Sequence, residues 1–102
     1  MAFRVEVTAH AQRDLAGLPP KQCLQVLEKA QILSENPFPK GKAIKRLRAK
    51  TKAGELLYRL RAGDYRVIYL IKEKQVFILM VVHRKDFKRA IKELAKEGRS
   101  LA

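Results

Sequence analysis

A single cysteine, Cys23, excludes an intramolecular disulfide and a cysteine-based zinc site, and it fits a reducing, cytoplasmic setting. No apolar run is longer than Val76–Val82, far short of the roughly 20 residues that cross a bilayer, so no membrane partner is expected. Arg4 and Glu6 interrupt the opening residues before an apolar region forms, which argues against a secretory signal. Internal repeats, low-complexity tracts and linker-like stretches are missing as well. Residues 1–102 therefore read as one soluble domain with material for a single core. The most informative shortage is of negative charge. Ten Asp and Glu face 23 Lys and Arg, a formal charge of +13, and that balance points to nucleic acid, a ribosome or an acidic protein as partner.

What is present falls into short periodic segments. Phe3, Val5 and Val7 alternate with polar residues, the period of a half-buried strand. Thr8 is a suitable N-cap for a helix carrying Ala11, Leu15 and Leu18, which must stop near Pro19-Pro20. A second helix is predicted from Pro20, with a broad apolar stripe of Cys23, Leu24, Val26, Leu27, Ala30 and Leu33, ending by Pro37. From Phe38 to Gly54 the chain carries Lys40, Lys42, Lys45, Arg46, Arg48, Lys50 and Lys52 without one acidic residue, and reads as a basic loop with a short strand at most. Gln75 to His83 is an unbroken apolar strand suited to the middle of a sheet. A last helix is predicted from about Asp86 to Glu97, with Phe87, Ala90, Ile91 and Leu94 on one face and Gly98 as its stop.

Between these, Glu55 to Ile71 reads as a β-hairpin turning at Gly63-Asp64. In that register Arg61 faces Arg66 and Arg59 faces Ile68, so Arg59, Arg61 and Arg66 project from one face. Like charges set opposite one another are unfavourable, and guanidinium forks match phosphate oxygens, so the cluster suits a polyanion. The alternative is a solvated sheet face whose arginines pair with carboxylates elsewhere. Tyr58 and Tyr69 are opposed on the other face, where packing is their expected role, while Tyr65 remains a candidate for stacking on a base.

The order β-α-α-β-β-β-α predicts an α+β fold: an antiparallel sheet of about four strands, an N-terminal helical hairpin on one face, and a C-terminal helix. One sheet face is expected under the helical hairpin and the other free to bind.

Leu-Tyr-Arg-Leu-Arg-Ala-Gly-Asp-Tyr-Arg-Val-Ile-Tyr (residues 57–69), followed by Val-Val-His-Arg-Lys-Asp-Phe (81–87), resembles the RelE/ParE superfamily of type II toxins. Length, element order and the Leu-Pro-Pro break between the early helices agree with it across essentially the whole chain. The RelE branch implies a ribosome-dependent mRNA endonuclease that inhibits translation, and the ParE branch implies a DNA gyrase inhibitor. A non-catalytic basic RNA-binding module is a third possibility. Under the RelE reading, Arg59 stands where a basic residue contacts and activates the substrate, Arg66 where an arginine stabilises the scissile phosphate, and Arg84 where a second arginine follows the last strand. Leu57 and Phe87 replace a lysine and a tyrosine of RelE, which moves the proton-transfer role to His83, whose spacing to Phe87 recurs in some relatives. Arg61, Tyr65, Phe87, Lys45, Arg46 and Arg48 are the expected substrate contacts.

The residue types agree with that chemistry. Metal-free RNA cleavage needs a base for the 2′-hydroxyl, cations for the phosphate and an acid for the 5′-oxygen, and no cofactor or metal is expected. Histidine exchanges protons near neutral pH, whereas arginine supplies fixed charge. No carboxylate pair, metal-ligand cluster or glycine-rich phosphate loop suggests another chemistry. The expected partners are a cognate antitoxin, laid over the arginine face and the groove beside the last helix, and the ribosome with its mRNA, contacted at 16S rRNA through the basic surface. Parity leaves one alternative open. With a two-residue turn at Glu73-Lys74, His83 shares the face of Arg66 and Arg84 points away, and a three-residue turn reverses both.

Overall fold

Thr8 ends the first strand and begins the first helix, its hydroxyl accepting the Ala11 N–H at 3.4 Å while its own backbone N–H donates to the Ile78 carbonyl. The computed structural model describes residues 2–97, and the predicted stop at Gly98 lies outside them. In chain order the elements are β1 (Arg4–Val7), α1 (Ala9–Ala16), α2 (Pro20–Ala30), a 3-10 turn (Gln31–Ser34), β2 (Ile44–Lys50), β3 (Leu56–Ala62), β4 (Tyr65–Lys72), β5 (Gln75–His83), a second 3-10 turn (Arg84–Asp86) and α3 (Phe87–Glu97).

The fold is α+β, with the helical hairpin on one face and the C-terminal helix on the other. Its sheet has five strands in the order β1-β5-β4-β3-β2. Two details of the sheet differ from the sequence reading. The stretch read as a basic loop contains β2, because β3 has an edge whose N–H and C=O groups need partners. Ile44 enters the core on the side of α1 and α2, and Leu47 and Ala49 pack on the side of α3, so three small anchors hold a strand of poor intrinsic propensity. The sheet is also mixed rather than purely antiparallel, since β1 runs parallel to β5 over Arg4–Val7 and Gln75–Ile78. That pairing covers the second edge of the apolar β5 strand as far as Ile78, so β5 is an interior strand as predicted.

The face under α1 and α2 contains Tyr58, Leu60, Val67, Tyr69, Val76 and Val81, packed with Ala11 and Val26. Tyr58 and Tyr69 stack there at 5.6 Å, and the Tyr69 hydroxyl donates to the Pro37 carbonyl at 2.6 Å. The stripe predicted for α2 is wider than the strip that becomes buried. Val26 is enclosed, Cys23 is half-buried, and Leu24 and Leu27 face solvent. The second face is not free along its whole length. Leu57, Ile68, Leu70, Leu79 and Met80 are covered by Ala90 and Leu94 of α3, with Phe87 and Ile91 at the border, as the periodicity of that helix required. The end of this face toward the Gly63-Asp64 turn remains open, with Arg61 exposed and Arg59 and Arg66 half-buried.

Candidate nucleic-acid interface

The pairing of β3 with β4 places Arg59 opposite Ile68, Leu60 opposite Val67, Arg61 opposite Arg66 and Ala62 opposite Tyr65. Gly63 adopts φ 61°, the positive value that a two-residue reversal asks of it. Arg59, Arg61 and Arg66 therefore project from one face, that of Leu57, Ile68 and Leu70, beyond the edge of α3. Two of them are fixed by the backbone. Arg59 donates through Nη1 to the carbonyls of Lys42 and Ala43, at 3.1 and 3.4 Å, and Arg66 through Nη1 to those of Gly63 and Tyr65, at 2.8 and 3.0 Å.

These guanidinium groups act on one another. Burial, followed by Arg66 and Arg61, holds Arg59 below the usual arginine range. Burial, followed by Arg61 and Arg84, does the same to Arg66, against an opposing pull from Asp64. Among the described residues, no carboxylate comes within ion-pair distance of Arg59, Arg61 or Arg66, whereas Arg84 Nε lies 3.6 Å from Asp64 Oδ1 with both side chains largely exposed. Backbone carbonyls orient the cluster without neutralising it. An anion placed over it supplies the missing charge.

The position of Arg84 depends on a slip in the β4 and β5 ladder. The turn has the two residues Glu73 and Lys74, and the register begins Lys72 to Gln75 and reaches Tyr69 to Ile78. The next pair is Ile68 with Met80, which leaves Leu79 extra. Leu79 and Met80 consequently both face α3. Beyond this bulge Arg66 pairs with Val82 and Tyr65 with His83, and the Arg84 N–H donates to the Asp64 carbonyl at 2.8 Å. The parity expected of a three-residue turn is thus reached with a two-residue turn, and Arg84 joins the side of Arg66.

His83 accordingly points to the other side. Its ring meets Tyr65 edge-on at 5.4 Å, and its Nδ1 accepts the Lys85 N–H at 3.1 Å, capping the 3-10 turn that leads into α3. With Nδ1 engaged, a neutral imidazole carries its hydrogen on Nε2. Phe87 anchors the start of α3 against the sheet and is partly buried. Of the β2 basic residues expected as substrate contacts, Lys45 pairs with Arg59 and shares its face. Arg46 pairs with Tyr58, and Arg48 lies between Leu47 and Ala49, so both project to the opposite side. They are not brought together with the arginines, because alternation in a strand allows only every second residue to face the cluster. The sequence reading did not single out Asp64, whose side chain and carbonyl both engage Arg84. Its place in the turn beside the arginines was the available signal.

The model of the family described as the ParE toxin of type II toxin-antitoxin system, parDE, matches residues 5–87. A putative toxin RelE1 of Methanocaldococcus jannaschii is 34% identical over 88 residues, covering 84% of this chain and 93% of that protein. Among solved structures, a chain of the archaeal RelE-RelB complex from Pyrococcus horikoshii superposes with a TM-score of 0.67 at 33% identity, over 82% of this chain and 97% of that one. The toxin-antitoxin complex RelBE2 from Mycobacterium tuberculosis gives the same TM-score, 0.67, at 34% identity, over 82% of this chain and 100% of that one.

Proposed function

Because the chain belongs to the RelE/ParE superfamily of type II toxins, on its RelE-like branch, we propose that it cuts mRNA on the ribosome and so arrests translation. The observation that carries this reading is the convergence of Arg59, Arg61, Arg66 and Arg84 at the open end of the sheet, three of them without a carboxylate partner among the described residues.

Cleavage proceeds by attack of a ribose 2′-oxygen on the adjacent phosphorus and departure of the 5′-oxygen. Charge grows on the non-bridging oxygens as the phosphorus becomes five-coordinate, and donors already aimed at that place stabilise it most. Arg66, fixed by two carbonyls, is the group over the scissile phosphate. Arg59 and Arg61 hold the neighbouring phosphate from the other strand, and Arg84 closes the cluster. Arginine suits this work because its charge does not depend on pH in the physiological range. The proton-transfer role falls to the imidazole of His83, a side-chain type suited to both accepting and donating a proton. In the orientation held by Lys85, its Nε2–H donates toward the RNA. Accepting the 2′-hydroxyl proton on Nε2 entails a change of tautomer and release of the Lys85 N–H. Tyr65, against the His83 ring, offers a half-exposed aromatic face for a base.

The solved relatives from P. horikoshii and M. tuberculosis are toxins in complex with antitoxins, which supports a cognate antitoxin for this chain. The neutralising segment is acidic or amphipathic, and lies over the arginine cluster and in the groove of about 330 Å³ beside α3, lined by Met80, Val82, Arg89 and Glu93. No helix among the described residues is long and apolar enough to cross a membrane.

The test is message cutting by purified protein with programmed ribosomes present and absent. The proposal expects cutting in the first case only. A family model described by the ParE name favours one second reading, inhibition of DNA gyrase. Trapped DNA cleavage complexes together with uncut message would decide for it.

A further inference from the structure

β1 ends as a partner of β5 at Ile78, where Thr8 takes over through its backbone N–H and its hydroxyl, both donated to the Ile78 carbonyl at 3.1 and 2.8 Å. Beyond Ile78 the outer edge of β5 is flanked by α1 instead of a strand. A helix offers no ladder of carbonyls, so the outward N–H groups of β5 need individual acceptors. The Val81 N–H finds one in Asp14 Oδ2 at 2.9 Å, across 67 residues of chain. Val81 is buried, and it lies between the bulge at Leu79 and the residues His83 and Arg84.

Two features mark Asp14 as more than a helix residue. A carboxylate close to the C-terminal end of a helix is unfavourable with respect to the helix dipole, so α1 gains nothing from it. Among the described residues, the other charged or titratable group against the carboxylate is His10, whose Nε2 lies 3.6 Å from the same Oδ2, and both side chains are half-exposed. Asp14 therefore replaces a sheet neighbour at the point where the shifted register has to be held. Without it, the Val81 N–H is left unpaired in a buried position unless the strand moves. A slip back by one residue lets Leu79 oppose Ile68, turns His83 toward the face of Arg66 and turns Arg84 away.

We propose that Asp14 is a positioning residue for the arginine cluster: by accepting the Val81 N–H, its carboxylate holds β5 in the bulged register that places Arg84 beside Arg66. This rests on the reading of Arg66 and Arg84 as phosphate-holding groups, but its structural half can be measured independently. Asp14→Ala removes the acceptor, while Asp14→Asn keeps an oxygen able to accept the same N–H. In isotopically labelled protein, Asp14→Ala is expected to lower exchange protection of the Val81 amide by about tenfold or more and to lose the cross-strand contact between Ile68 and Met80. Asp14→Asn is expected to retain both. Should Asp14→Ala fail to fold, Asp14→Asn decides: a folded amide variant that has lost the bulged register overturns the proposal, and one that keeps it supports the proposal. Unchanged protection and register in folded Asp14→Ala also overturn it.

In single-turnover message cutting, Asp14→Ala should lower the rate by about tenfold or more with the half-saturating ribosome concentration nearly unchanged, and Asp14→Asn should restore it. Because the slip displaces Arg84 and His83 together, adding Asp14→Ala to the Arg84→Ala/His83→Asn pair should cost little more than that pair alone, and multiplicative losses would overturn the coupling. If wild-type protein cuts no message, the functional reading fails, while the amide and contact measurements still decide whether Asp14 sets the register.

Discussion

Tyr65 stands directly opposite His83 across the β4 and β5 ladder, with the two rings edge-to-face at 5.4 Å, on the side of the sheet away from Arg66. The arginines and the His83 imidazole thus approach the open end of the sheet from its two faces. Under the proposed mechanism, RNA threaded past that end meets both.

Arg66→Ala should reduce message cutting by about a hundredfold or more, the scale of losing a fixed donor to a developing oxyanion. Its fold should survive, because the deleted bonds run to carbonyls near the exposed turn. Single-turnover cutting beside thermal unfolding checks both halves. Wild-type rates in a folded variant would remove Arg66 from the chemistry.

Arg61→Thr should stabilise the free protein by about 0.2–1 kcal/mol, since it removes one of two like charges set opposite each other and substitutes a better strand former. Inorganic phosphate or a short RNA should likewise raise the melting temperature of the wild type, and less so in this variant. The sign follows from the depressed basicity of Arg59 and Arg66. A base held below its unfolded range disfavours folding at every pH under that range, so the strain persists through neutrality and is relieved by counter-ions rather than by pH. A melting temperature indifferent to phosphate would contradict it.

His83→Asn should separate two roles. Asparagine can accept the Lys85 N–H and keep the cap of the 3-10 turn, so unfolding should change little, whereas His83→Ala should lose about 0.5–2 kcal/mol with that cap. Both variants should cut about a hundredfold or more slowly if the imidazole transfers a proton. An asparagine variant that cuts at full rate would leave His83 only its capping role.

Tyr69 should make the fold sensitive to strong alkali. Burial, with Tyr58 adding to it, raises its pKa well above the ordinary value. Below about pH 10 the phenol is neutral in both states and stability is unaffected; above it the unfolded chain loses a proton that the folded one keeps, so stability falls as pH rises. Tyr69→Phe should flatten that alkaline limb. At neutral pH it should cost about 1–3 kcal/mol, because the Pro37 carbonyl loses its donor. Denaturant titrations at neutral and alkaline pH read both effects.

Local chemistry made much of this legible in advance. Thr8 as a cap, Pro20 at the start of a helix, the Gly63-Asp64 reversal and the pairing it enforces depend on neighbours in the chain, and each stands where the residues indicated. The convergence of Arg59, Arg61 and Arg66 follows from a two-residue turn and the alternation of a strand, and the apolar side of α3 follows from its period. The basic tract was harder, because seven cations describe a solvated loop and a charged edge strand equally well. Only the open edge of β3 chose between them, and with the strand formed, alternation sent Lys45 to the cluster and Arg46 and Arg48 away from it.

The extra residue at Leu79 left no mark in the sequence, where Val76–Val82 is uniformly apolar and any member can face either core. Its place was settled by groups distant along the chain: β1 running out at Ile78, and Asp14 of α1 waiting for the Val81 N–H. The chain by itself thus determined the elements other than β2, the hairpin and the charge. Tertiary structure decided which of His83 and Arg84 would stand with Arg66, because a strand's facing is set by the acceptors its backbone finds, and those came from another part of the fold.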